Sequence, residues 1–346
     1  YDYLILAAGS VSNYFGNRNL KEQGIPMKNL VDALGVRNTL LSNFERALTC
    51  ATKEERDELL RVVIVGGGAT GVEIAGAIAE MKRFIFPKDY PDMDIDNLKI
   101  ILVEGSDRLL AAMSVEASAN AKKYLEAMGV EVRLDTRLSD YVGNTAQLND
   151  GTVIKTRSLI WVSGVCASPI KYIEGDMLGR AGRIKVDQFN QLLGVKDVFS
   201  VGDQCIMTSD VKYPDGHPQL AQVAMQQARN LAQNLVKMQR GDAMKPFVYK
   251  NKGSMATIGR KRAVADIGSV KMGGRLAWFM WLVVHLKSIL GVKNKIFVLI
   301  DWMWNYFSFD RSSRFILYPR KNYVIKEREE KEELTHLGED LFDDIK

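Results

Sequence analysis

Residues 61–80 read RVVIVGGGATGVEIAGAIAE, a run that leaves the chain little freedom in how it folds. A short apolar strand feeds straight into glycines, and an apolar-rich helix begins behind them. The glycines at 66, 68 and 71 have the spacing G-x-G-x-x-G. Gly66 permits a tight turn, Gly68 lets backbone approach a pyrophosphate, and Gly71 lets the helix pack closely on the strand. The helix N-terminus adds free N–H groups and the positive end of a dipole, both suited to phosphate. The next strand, KIILVE over residues 99–104, ends in Glu104, placed to accept bonds from the 2′- and 3′-hydroxyls of an adenosine ribose. Glu104 lies 38 residues beyond Gly66, against a usual spacing of about 20. A loop-like insertion at 82–98, holding Pro87 and Pro91, accounts for the excess. An acid at that position favours NADH over NADPH, whose 2′-phosphate it repels.

A second ligand element lies at 198–205, VFSVGDQC, followed from Pro218 by PQLAQVAMQQARNLAQNL. The first piece reads as a strand with Gly202-Asp203 at its tip. The second reads as a helix with Pro218 near its first turn and Leu220, Val223, Ala224, Leu231 and Leu235 on one side. A carboxylate at a strand tip accepts bonds from ligand hydroxyls, and a helix N-terminus beside it favours a group that becomes anionic. A reduced flavin, with its ribityl hydroxyls and charged ring edge, wants both. A flavin also needs an ADP-binding unit of its own, and no second G-x-G-x-x-G is present in these residues. The opening YDYLILAAGS reads as the interior of a strand, so the natural N-terminus is expected to be missing here, with that unit lying upstream of Tyr1.

Between these elements, strands and helices alternate, which argues for parallel, doubly wound sheets with ligands at the strands' C-terminal ends. Strands are expected at 2–8, 61–65, 99–104, 130–134 and 159–162, helices at 30–51, 69–81 and 114–128, and a hairpin turn at Asn149-Asp150-Gly151. Cys50, Cys166 and Cys205 stand alone, which excludes a dithiol relay and suits a reducing compartment. Cys166 is expected as a buried spectator thiol. His217, His285 and His336 are scattered, so no metal site is expected.

Taken in order, YDYLILAAGS, GGGATGVEIAG, LVEGSDRLL, WVSGV, VFSVGDQC, AQVAMQQA and YKNKGSMATIGRKRAVADIG resemble the type II NADH:quinone oxidoreductases. These are flavoproteins of the wider pyridine nucleotide-disulphide reductase fold, and the likeness runs from Tyr1 to about Tyr323. It implies two Rossmann-like α/β domains, the FAD domain being incomplete at its N-terminus, and a C-terminal membrane-anchoring region. It implies FAD held by Ala8, Gly9, Gly202, Asp203, Ala221 and Lys252, and NADH held by Gly66, Gly68, Gly71, Glu104 and Gly164. Gln222 and Gln226 would donate to a quinone carbonyl, and Glu73 would relay protons. Solvated helix glutamines, an ordinary loop lysine, and a Glu73 paired with Lys82 or Arg83 are the alternatives. The corresponding segments are 1–56 and 166–244 for FAD, 57–165 for NADH, 245–326 for anchoring, and 327–346 as an acidic, disordered tail.

Charge is unevenly placed: residues 1–244 carry net −2, residues 245–326 net +13, and residues 327–346 net −6. The basic region holds two apolar runs at 276–290 and 296–309, each too short to span a bilayer, which takes about 20 residues. Trp278, Trp281, Trp302, Trp304 and Tyr306, with flanking Lys and Arg, suit an interfacial one-leaflet anchor. A buried hairpin in a dimer interface is the alternative and is compatible with it. The expected enzyme oxidises NADH and reduces a membrane quinone without pumping protons, as a homodimer on the cytoplasmic face of a bacterial-type inner membrane. Rivals are a sulfide:quinone or ferredoxin reductase of the same fold, or a non-enzymatic NADH-sensing surface module. No nucleic-acid motif accompanies the charge.

Overall fold

The computed structural model describes residues 2–91, 93–289 and 291–307. The end of the second apolar run and the acidic tail lie outside the described residues. The chain opens with β1 (Leu4–Leu6) and β2 (Ser10–Ser12), then α1 (Arg18–Gln23), β3 (Ile25–Pro26) and α2 (Leu30–Thr49). Asn29 and Asp32 close a reciprocal capping box at the start of α2. Next come α3 (Lys53–Leu59), β4 (Arg61–Val65), α4 (Ala69–Phe84) and α5 (Phe86–Asp89). The expected loop at 82–98 therefore contains a further turn of α4 and the short α5. Phe86 of α5 is fully buried, its ring 4.3 Å from that of Phe44. β5 (Lys99–Val103), α6 (Val115–Glu126) and β6 (Val130–Arg133) follow, then β7 (Leu138–Val142), β8 (Thr145–Leu148), β9 (Val153–Lys155), β10 (Ser158–Trp161) and β11 (Val165–Ala167).

Five strands make one parallel sheet in the order β3-β10-β4-β5-β6. Both faces of that sheet are covered, which is why β4, β5 and β10 read as continuous apolar runs rather than alternating ones. On one face, Val36, Leu40 and Phe44 of α2 and Val72, Ala75 and Ile78 of α4 share a core with Val62, Ile64 and Ile100. On the other, Tyr141, Ala146, Leu148 and Ile154 of the antiparallel β7-β8-β9 sheet pack on Val63, Ile101 and Trp161. β4 lies between β5 and β10, so the chain's two wings diverge there and a crevice opens beyond the strand tips.

The expected boundary at residue 57 moves toward the N-terminus. β3 pairs with β10, and α2 packs into the β4 core, so both belong to the nucleotide unit. The other unit is smaller than a full doubly wound domain. It holds β12 (Ile184–Val186), β13 (Val198–Ser200), β14 (Cys205–Met207) and α7 (Ala221–Arg240). Its sheets are two-stranded: β1 with β13 and β12 with β14, both parallel, and β2 with β11, antiparallel. α7 begins three residues after Pro218, and Leu220 is its exposed N-cap rather than part of its buried face.

The region from 245 onward is not one anchoring segment. β15 (Ser254–Thr257), β16 (Ala263–Ile267) and β17 (Val270–Gly273) form an antiparallel sheet whose Ala256, Ile258 and Val264 enter the core of the nucleotide unit. Among the described residues beyond it, α8 (Gly274–Ser288) and α9 (Val292–Phe307) carry exposed apolar residues, among them Leu276, Phe279, Ile296 and Phe297.

Candidate functional site

The glycine turn has the geometry its spacing predicts. Gly66 stands at φ +121°, and a Cβ there would come within 2.8 Å of the Val162 and Ser163 backbone. A Cβ on Gly71 would lie 1.8 Å from the Gly66 carbonyl oxygen, so only glycine lets α4 seat against the end of β4. A Cβ on Gly68 meets nothing within 4 Å, so this glycine borders open space. Gly68 is also the N-cap of α4 and offers no side-chain cap to the first-turn N–H groups. Packed glycines on either side of an open, uncapped helix start fit a pyrophosphate. Glu104 follows β5, where its two oxygens accept from the Gly67 N–H and from the Ser106 N–H (2.8 Å) and hydroxyl (2.7 Å). These bonds fix the carboxylate beside the turn. Gly164 is bordered differently: the Phe15 ring would lie 3.0 Å from a Cβ there.

Asp203 stands beyond the tip of β13, as expected, and its Oδ2 accepts from the Ser10 hydroxyl at 2.6 Å, with Lys28 Nζ at 3.7 Å. Gly202 is at φ +75°, and its backbone N–H donates to buried Gln227 at 2.7 Å. A Cβ on Gly202 would press on that of Ala224 in α7 at 3.1 Å, so the glycine brings strand tip and helix start together. α7 begins at Ala221 without a side-chain cap. Ala8 joins the same junction through its N–H, which donates to the buried Gln204 side chain at 2.7 Å, and Gly9 turns the chain at φ +70°. A hydroxyl-binding carboxylate next to an uncapped helix start fits the polyol and anionic edge of a flavin. A cavity of about 960 Å³ lies alongside, with Ser10, Lys28 and Cys166 in its wall. Cys166 is half-exposed there, not buried.

The segment 250–257 links the two elements. Gln222 donates to the Gly253 carbonyl (3.1 Å) and accepts from the Lys252 N–H (3.0 Å). Gln226 donates to the Lys250 carbonyl (2.9 Å) and accepts from the Lys250 N–H (3.1 Å). Four residues further on, Glu73 of α4 accepts from the Thr257 N–H and hydroxyl, both at 3.3 Å. At about 3.3 Å per extended residue, Gly253 and Thr257 are at most roughly 13 Å apart. α4 and α7 are thus tied to one short stretch of chain.

Burial pushes the Glu73 carboxyl above the ordinary carboxylate range, against the pull of the Thr257 bonds and of nearby His285. Lys82 does not pair with Glu73, because its Nζ donates to the Leu98 carbonyl at 2.7 Å. Arg83 lies over the Phe84 ring. The Lys252 side chain is exposed, and its backbone makes the contact described.

Sequence reasoning missed Ser10, Gln204, Gln227, Thr257 and His285. Gln204 stands inside the VFSVGDQC run and Gln227 inside AQVAMQQA, and both are almost fully buried. A polar residue within an apolar motif was the available signal. Ser10 and Thr257 carry none, since their roles depend on which strands become neighbours. His285 interrupts an otherwise apolar helix and stacks on Trp281 at 3.9 Å.

Comparison with known proteins places this geometry. Residues 1–228 match the pyridine nucleotide-disulphide oxidoreductase family, and residues 251–311 match the NDH2 C-terminal domain. A type II NADH:quinone oxidoreductase of Mycobacterium tuberculosis is 36% identical over 89% of this chain and 67% of its own length. The chain belongs to the type II NADH:quinone oxidoreductases. A second such protein of that organism is also 36% identical, over 87% of the chain and 66% of its own length. An internal alternative NAD(P)H-ubiquinone oxidoreductase of Solanum tuberosum is 30% identical over 88% of the chain and 64% of its own length. The chain spans about two thirds of these relatives. Among solved structures, NDH2 from Plasmodium falciparum in complex with NADH shares the fold, with a TM-score of 0.82 at 21% identity, covering 92% of this chain and 79% of that one. No helix among the described residues is long and apolar enough to cross a membrane.

Proposed function

We propose that this chain carries the working core of an FAD-dependent NADH dehydrogenase that reduces a membrane quinone without pumping protons. The reading rests on one observation: α4 behind the nucleotide turn and α7 behind the Asp203 tip both bind residues 250–257. Gly66, Gly68 and Gly71 would seat the NADH pyrophosphate, with Glu104 on the adenosine ribose. Asp203 would hold the ribityl hydroxyls of FAD, and the uncapped start of α7 would favour the reduced, anionic ring edge. FAD, when bound, would supply the redox chemistry that couples NADH oxidation to quinone reduction. The protein's part is orientation and proton supply. Glu73, whose protonated form is favoured by burial, would deliver a proton toward the quinone. One amide N–H of Gln222 and one of Gln226 hold the backbone, which leaves each a second for a quinone carbonyl.

The exposed apolar residues of α8 and α9 support placement at a lipid surface, where a long-tailed quinone resides. Three free cysteines suit the reducing, cytoplasmic side of a bacterial-type inner membrane, and the same apolar surface leaves room for a homodimer. Absorbance spectra of the intact protein before and after NADH, together with turnover on a soluble quinone analogue, test the reading. A flavin spectrum that bleaches with NADH and recovers with quinone is expected. A protein that stays colourless after reconstitution with FAD overturns it.

A further inference from the structure

We propose that the cavity between the C-terminal ends of α4 and α6 and the start of α8 binds the headgroup of an anionic glycerophospholipid. The inference rests on the reading of α8 and α9 as lying at a lipid surface. The cavity holds about 320 Å³, and its wall carries Arg83, Arg260, Lys261, Arg262 and Arg275 against a single carboxylate, Glu80. That carboxylate already accepts the Arg260 backbone N–H. Arg83 and Arg262 lie 5.3 and 5.6 Å over the rings of Phe84 and Tyr124. Stacking of this kind orients a guanidinium while leaving its N–H fork for a phosphate. Gly274, the first residue of α8, completes the wall, and the N-cap Gly273 provides no side-chain cap. The first-turn N–H groups and the positive end of the helix dipole therefore add to the cationic lining.

The lining alone suits any phosphate, and the apolar surface of α8 beside it selects a lipid. Immediately after Arg275, Leu276, Phe279 and Val283 are exposed at 62%, 60% and 46%. Their spacing sets them along one side of the helix. A molecule with a phosphodiester in the cavity and acyl chains along that stripe satisfies both features, whereas free phosphate satisfies only the first.

Monomeric dihexanoyl phosphatidylglycerol, dihexanoyl phosphatidylcholine and inorganic phosphate, each titrated calorimetrically into the intact protein, test the site. Saturable binding is expected for phosphatidylglycerol alone. R83Q/R275Q should weaken it about tenfold or more, the scale of losing charged hydrogen bonds. K293Q/K295Q, which removes the same charge from α9 outside the cavity, should leave it unchanged. Both variants should keep wild-type circular dichroism and turnover with a soluble quinone analogue. Equal loss in the two variants, absence of saturable binding, or inorganic phosphate binding as tightly as the lipid each overturns the proposal. Flotation with phosphatidylcholine vesicles separates the two readings: a protein that floats yet ignores phosphatidylglycerol keeps its lipid surface and loses this site.

Discussion

Glu73 accepts from both the backbone N–H and the hydroxyl of Thr257, so a half-buried carboxyl joins α4 of the nucleotide unit to β15. If this carboxyl supplies protons, removing its acidity should affect only one half of the reaction. Glu73→Gln should slow quinone reduction by roughly 100-fold, the usual scale for a lost general acid. Flavin reduction by NADH should stay near wild type. Stopped-flow measurement of the two half-reactions decides it, and equal effects on both would remove the role.

The same residue makes a prediction about stability. Burial holds the Glu73 pKa above its ordinary value, so between the two values the folded state binds more protons than the unfolded state. Stability contributed there is present at low pH and is lost as pH rises through the folded pKa. Glu73→Gln should therefore melt higher than wild type at pH 7, with the difference closing below the ordinary carboxylate pKa. Thermal melts at both pH values check this, and a wild type that is the more stable at pH 7 contradicts it.

Local pattern and tertiary neighbourhood are not equally readable. The strand at 61–65 and the helix start at Ala69 stand where periodicity and glycine spacing put them, because both are fixed by contacts within twenty residues. Asp203 at a strand tip is legible for the same reason. The sequence alone places β3 and α2 in the wrong unit, because pairing of Ile25 with Ile160 joins residues far apart in the chain. The basic charge from 245 onward hides a folded sheet: Ala256, Ile258 and Val264 are buried among α4 residues, while neighbouring Arg260, Lys261 and Arg262 are half-buried. Gln222 and Gln226 read as a pair, but their grip on the 250–253 backbone depends on a loop whose path the sequence does not specify.

Gly71→Ala tests the close approach behind the nucleotide turn. A Cβ placed 1.8 Å from the Gly66 carbonyl cannot be relieved by a flexible side chain, because the obstacle is backbone. Overpacking of this kind costs about 3 kcal/mol or more and should displace α4 from β4. Chemical denaturation should report that loss, and NADH affinity should fall with it. Gly68→Ala, facing open space, should cost little stability and act on NADH binding alone.

The three thiols should separate by accessibility. Cys205 is buried, and burial pushes its pKa up to about 11, so it is protonated and shielded at neutral pH. Cys50 and Cys166 are half-exposed. A thiol reagent should titrate those two in the native protein, with Cys205 reacting only on unfolding. Mass spectrometry of the labelled peptides gives the assignment, and native labelling of Cys205 would show that the β14 core opens.

Gln226 separates a structural grip from a direct role toward quinone. Its side chain both donates to and accepts from the backbone of Lys250, so Gln226→Ala removes two hydrogen bonds. At about 1 kcal/mol each, the loss should be about 2 kcal/mol, felt locally rather than across the fold. Amide exchange at Lys250 should accelerate. Because this stretch leads into β15 and Thr257, the quinone KM should rise with it. A raised quinone KM with unchanged exchange at residues 250–253 would assign Gln226 to the ligand directly. Faster exchange with an unchanged KM would leave it a tether only.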